Sequence, residues 1–143
     1  MCLIIDLNVV NLIFPQPTTD FEPVFKAISQ KRARIVYGGK LKREYQRAAQ
    51  FWRVLVRLDQ QGSARPIDDA QVDALAKKLL QGGTCCSDDE HVLALAVVSG
   101  SRLLCSNDGN LCADFRNATL ISNPRGNVYR RPAHASLIRR HCS

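Results

Sequence analysis

The feature that most constrains this chain is a rhythm of short apolar runs set between longer segments of helical period. Residues 3–10 are apolar and β-branched apart from Asp6 and Asn8. That is the composition of a buried strand with two polar residues toward its carboxyl end. Residues 34–37, 102–106 and 119–121 repeat the pattern as second, third and fourth strands. A helix is expected over 23–30, with Val24, Phe25 and Ile28 inward. Gly38-Gly39 turns the chain into a long helix over 40–61. Its Leu41, Tyr45, Ala48, Ala49, Trp52, Leu55, Val56 and Asp59 recur near the 3.6 period. Residues 62–66 read as a linker. Asp68 or Asp69 caps a helix reaching residue 80, which Gly82-Gly83 ends. Ser87 and Glu90 match a capping box opening a helix that Gly100 stops. A short helix over 110–115 follows. Strands alternating with helices predict an α/β, three-layer fold, with a parallel four- or five-stranded sheet flanked by helices. In such sheets ligands bind beyond the carboxyl ends of the strands, where Asp6 and Asp108 fall.

The 143 residues suit one domain spanning 1–143, with 116–143 as last strand and basic tail. No apolar run approaches the ~20 residues of a membrane span, and the basic n-region of a secretory signal is missing. Six cysteines are too few for a disulfide scaffold, and their spacing matches no common zinc site. Reduced thiols in a cytosolic protein are therefore expected. The net charge of +7 is uneven: residues 31–65 carry +8, residues 66–115 carry −5, and residues 116–143 carry six arginines and no acid. Basic blocks around an acidic one point to a polyanionic partner. On the long helix Lys40, Lys42, Arg43, Arg47 and Arg53 form the candidate face for that polyanion.

Singly, the acids have ordinary explanations. Glu44 has Lys40 and Arg47 within helical reach. Asp88, Asp89 and Glu90 suit the first turn of a helix, and Ser106-Asn107-Asp108-Gly109 has turn composition. An aspartyl phosphotransfer site is disfavoured because Asn8 stands where a second Asp is wanted. In the capping-box register Ser87 is the N-cap, so Asp88 and Asp89 are the first two helical residues. Their side chains then diverge by about 100°.

Taken in order, the acids form a pattern: Asp6 in a strand, Glu44 in a helix, Asp88-Asp89-Glu90-His91 at a helix start, and Ser106-Asn107-Asp108 after a strand. This order resembles the PIN-domain ribonuclease family, in particular prokaryotic toxin members of toxin–antitoxin pairs. The most specific stretch runs from Asp88 through the Ala-Leu-Ala of residues 94–96 to Leu103-Leu104, Asp108, Leu111 and Asp114-Phe115. Gly38-Gly39 leading to Glu44 is also similar, and so is the tail from Gly126 to Tyr129, with His134 and His141-Cys142. The resemblance implies a PIN-like domain acting as a divalent-metal-dependent endoribonuclease. Asp6, Glu44, Asp89 and Asp108 would hold Mg²⁺ or Mn²⁺, and a metal-activated water would hydrolyse RNA phosphodiester bonds. Asn8, Ser106 and Asp88 would stand beside them, and the family's Asp-x-His pattern selects Asp89 over Asp88 as the ligand. Asp88 departs from the Asn that is frequent there. The resemblance also implies a homodimer, an antitoxin partner and a cytoplasmic setting. The alternatives are a catalytically silent PIN-fold RNA- or partner-binding protein, and an unrelated α/β module whose acids are dispersed caps and salt bridges.

Overall fold

The computed structural model describes residues 2–142, so Met1 and Ser143 of the expected 1–143 domain lie outside the described residues. Five three-residue strands form one all-parallel sheet: β1 (Leu3–Ile5), β2 (Ile35–Tyr37), β3 (Ala64–Pro66), β4 (Leu103–Cys105) and β5 (Asn127–Tyr129). Their order is β3-β2-β1-β4-β5. β1, β2 and β4 are buried along their whole length, as a strand covered by helices on both faces must be. The flanking helices are α1 (Val10–Ile13), α2 (Glu22–Ser29), α3 (Gly39–Arg47), α4 (Ala49–Gln60), α5 (Asp69–Gly82), α6 (Glu90–Ser99), α7 (Gly109–Arg116) and α8 (Ser136–Cys142). The α/β, three-layer architecture expected from the sequence is thus the one observed. No helix among the described residues is long and apolar enough to cross a membrane.

α6 is the central helix. His91 to Ala96 are all buried, so it has no solvent face over that stretch, the pattern of a helix enclosed on all sides. Gly100 ends it in the left-handed conformation, φ +79°. Asp68, not Asp69, caps α5 by accepting from the Ala70 N–H.

Four expectations need correction. The first strand stops at Ile5, because the Asp6 N–H donates to Cys105 O at 2.9 Å and the chain then curls into a 3-10 turn, Leu7–Val9. Asn8 therefore does not share a strand face with Asp6. Residues 119–121 form a turn in which the Leu120 and Ile121 N–H groups both donate to Asn117 O. The strand expected there lies instead at Asn127–Tyr129. The supposed linker contains β3, an edge strand, where the missing N–H of Pro66 is tolerated. The long helix is two helices broken at Ala48, φ −93° and ψ 80°. Beyond the break the inward set shifts: Phe51 and Leu55 are buried, whereas Ala49 and Val56 are exposed.

The cysteines also divide. Cys85, Cys86, Cys105 and Cys112 are free, but Cys2 and Cys142 form a disulfide that ties the start of β1 to the end of α8. That pair corrects the expectation of reduced thiols throughout. The sequence spacing of 140 hides a contact that only the returning tail creates.

Candidate functional site

β1 and β4 are neighbours at the centre of the sheet, and the strand order reverses between them. Ligands of open parallel sheets bind at such a switch point, beyond the carboxyl ends. Asp6 is the first residue after β1 and Ser106 the first after β4. Ser106 is fully buried. Its hydroxyl donates to Asp6 Oδ2 at 2.7 Å and accepts the Asp108 N–H at 3.0 Å. One oxygen thus fixes the Asp6 carboxylate against the loop that carries Asp108. Asn8 contributes through its backbone N–H, which lies toward the Asp6 carboxylate and lowers its proton affinity, although Asp6 makes no capping bond to the 3-10 turn. Asp108 is the N-cap of α7, accepting the Asn110 and Leu111 N–H groups on Oδ1.

Glu44 reaches the same region because two glycines let α3 start close to α5. A Cβ on Gly38 would lie 2.7 Å from Ile67 O, and Gly39 has φ +58° with Val72 2.8 Å from its would-be Cβ. The Gly39 N–H donates to Asp69 Oδ1 at 2.7 Å. Tyr45, beside Glu44, is fully buried and its hydroxyl donates to Ile5 O, pinning α3 to the end of β1. His91, buried in α6, meets Glu44 Oε1 through Nε2 at 2.9 Å.

The helix start at residues 87–90 differs from the expected capping box. Asp89, not Ser87, is the N-cap of α6, and its side chain makes no capping bond. Ser87 is drawn elsewhere. Its N–H and hydroxyl both donate to Asp114 Oδ2, at 2.9 and 2.7 Å, and the Cys86 N–H donates to the same carboxylate. Asp114, 2% exposed on α7, is therefore the anchor of the loop that delivers Asp89. Asp88 is exposed and Asp89 half-buried, so the two point to different surroundings.

The electrostatics join four of the predicted residues. Burial pushes the Asp6 carboxyl above its ordinary range against the Ser106 hydrogen bond and the Asn8 N–H, and the charges of Asp108 and Glu44 add to the rise. Burial likewise raises Asp89. His91 opposes that rise, while Asp6, Asp108 and Glu44 reinforce it. Asp6 and Asp89 thus both lie within electrostatic reach of Asp108 and Glu44. Among the described residues, however, no three His, Cys, Asp or Glu side chains are drawn together into a group that could hold a metal ion. Each acid is instead held apart by its own partner: Ser106 on Asp6, helix N–H groups on Asp108, His91 on Glu44. The donor set, all carboxylate oxygen, is of the kind hard divalent cations take.

The basic face divides in two. Lys42 pairs with Asp69 at 3.4 Å and Arg43 with Asp73 at 3.1 Å, both across to α5. Lys40, Arg47 and Arg53 are exposed. Two residues of the site carried signals too weak to single out. His91 was named only as part of the Asp-x-His pattern and Asp114 only as part of the motif stretch, because their partners, Glu44 for His91 and Cys86 and Ser87 for Asp114, lie far away in sequence. Scans of protein-family models, of curated proteins and of solved structures find no match to this chain.

Proposed function

We propose that the protein is a PIN-like, divalent-metal-dependent endoribonuclease. The observation carrying this reading is that the Ser106 hydroxyl ties the Asp6 carboxylate to the Asp108 loop at the carboxyl ends of the two central strands, with Asp6 and Asp89 both raised by burial and, to a lesser degree, by the charges of Asp108 and Glu44. Asp6, Asp89, Asp108 and Glu44 would hold Mg²⁺ or Mn²⁺. Such an ion, when bound, makes a water acidic enough to attack at neutral pH and neutralises phosphate charge. The chain's own work is positional. Ser106 and the Asn8 N–H aim Asp6, the Ser87–Asp114 anchor delivers Asp89 free of capping duty, and His91 orients Glu44. Exposed Lys40, Arg47 and Arg53 supply positive charge for the RNA backbone. Lys42 and Arg43 contribute less under this reading, because each already faces an acid.

The same proposal extends to a homodimer and to a small antitoxin protein. It also extends to the cytoplasm, a compartment in which a disulfide such as Cys2–Cys142 is uncommon.

The test is single-turnover cleavage of labelled single-stranded RNA under saturating Mg²⁺ or Mn²⁺. Asp6→Asn and Asp89→Asn should each lower the rate by about 10³, or ~4 kcal/mol of barrier, with the thermal melt retained. Asp88→Asn should stay within about threefold of the parent, a difference of under ~0.7 kcal/mol. Full activity in both Asp6→Asn and Asp89→Asn overturns the nuclease reading. A dead Asp88→Asn beside an active Asp89→Asn overturns the assignment of Asp89.

A further inference from the structure

The break between α3 and α4 opens one end of a surface groove. Three adjoining cavities of about 340, 280 and 240 Å³ follow α4 along its flank. The first is bounded by Leu7, one residue past Asp6, and by Ala48 at the break. Asn11, Gln50 and Phe51 continue into the second, and Phe14, Pro15, Val54 and Arg57 continue from there into the third. The groove is therefore one continuous track that begins beside the acidic site.

Its chemistry is one-sided. Gln50, Arg53 and Arg57 fall at i, i+3 and i+7, a single stripe on α4, and all three are exposed. Asn11 faces them across the groove. No Asp or Glu lines any of the three cavities. The ion pairs of the described residues engage neither Arg53 nor Arg57, and the nearby Asp59 is taken by the Tyr37 hydroxyl. Phe14 and Val54 provide an apolar floor between them. Guanidinium is weakly hydrated and presents a planar fork of donors that suits phosphate oxygens. Arg53 and Arg57 are about 6 Å apart along the helix axis, on the scale of one nucleotide step in an extended strand.

We propose that this groove is the track for the single-stranded RNA flanking the acidic site. Arg53 and Arg57 each grip a backbone phosphate, and the Asn11 and Gln50 amides reach sugar or base edges. The inference rests on the ribonuclease reading and adds where the strand lies. It favours RNA over an acidic peptide because the two cations stand one helical turn apart, matching a polymer with one charge per regular step. A peptide's carboxylates have no such fixed interval.

The test measures equilibrium binding of the full chain to a labelled, unstructured 12-mer RNA across a salt series. It is run in Ca²⁺, which neutralises the acids but lacks the octahedral demand of Mg²⁺. Arg53→Ala/Arg57→Ala is compared with Lys77→Ala/Lys78→Ala, which removes the same charge from exposed positions on α5. The arginine pair should raise Kd by about tenfold or more and flatten the salt slope by about 1.4, two phosphates at ~0.7 each. The lysine pair should change Kd less than about threefold, so its slope should hold near that of the parent. Equal effects of the two pairs overturn the track while leaving the ribonuclease reading intact. If the parent protein binds no RNA, both fall. If the arginine pair retains RNA binding but loses binding of a 12-residue polyglutamate peptide, the groove belongs to an acidic protein segment and the proposal is overturned.

Discussion

Asp114 and Asp6 are both carboxylates withdrawn from water, and their surroundings answer that burial in opposite ways. Around Asp114, burial pushes the carboxyl up. Donors from the Cys86 N–H, the Ser87 hydroxyl, the Cys86 thiol and the Ser87 N–H outweigh it, and the group is held below its ordinary 3.8. Around Asp6 and Asp89 the neighbours include other acids, and both groups sit above 3.8. One region spends its carboxylate on structure. The other leaves Asp6 and Asp89 facing the charges of neighbouring acids, an arrangement that costs stability when they ionise and that protonation, or under the proposed function a cation, relieves.

The sign of the pH dependence follows. Stability contributed by Asp114 is present above 3.8 and is lost as pH falls through its lower folded value. Asp6 and Asp89 work the other way. The folded state binds their protons more tightly, so stability is lost as pH rises from 3.8 through their raised values.

The largest effect expected from this contrast is at the anchor. Asp114→Ala should lower unfolding stability by about 3 kcal/mol, because it leaves the buried Ser87 donors without an acceptor and frees the Cys86 N–H of the same loop. Urea denaturation measures it, and a loss below about 1 kcal/mol would remove Asp114 from the role of anchor. Next in size is the response to metal. Mg²⁺ or Mn²⁺ at about 100 times its Kd should add roughly 2.7 kcal/mol to the parent and nothing to Asp6→Asn. A thermal melt that moves with neither ion breaks the comparison at its acidic end. Smallest is the relief of repulsion. Metal-free Asp89→Asn at pH 7 should gain about 0.5 kcal/mol over the parent, and that gain should shrink as pH is lowered toward 4. A loss instead of a gain would mean that Asp89 is stabilising in the metal-free fold.

The sequence rhythm carried the architecture well, because β1, β2, β4, α2, α5 and α6 each advertise themselves through apolar period or caps. The edges were harder. β3 and β5 are three residues each, and what makes them strands is pairing to β2 and β4 rather than anything local. Residues 119–121, with β-branched Thr119 and Ile121, looked like a strand, but Asn117 captures the Leu120 and Ile121 N–H groups in a turn. Of the proposed site, Asp6 and Asp108 were singled out by their places after apolar runs, and Glu44 and Asp89 by their order along the chain. Asp114 was not, because its partners lie 27 and 28 residues away. Ser87 misled for the same reason: a residue suited to capping was recruited by a distant carboxylate.

The bridge between Cys2 and Cys142 brings those two Cα atoms to 5.1 Å and closes 140 residues of sequence into a single covalent loop. A thread joined that way has no privileged point of opening. Gly82 and Gly83, with open space around both, lie in an exposed turn between α5 and α6. A permuted chain linked directly across residues 2 and 142 and cut at that turn would still lay its strands down as β3-β2-β1-β4-β5. Asp89 would then fall near the new amino terminus, Asp6 just before the middle and Glu44 in the carboxyl-terminal half. The linear order of acids that first drew attention would be gone, and their places in the fold would not.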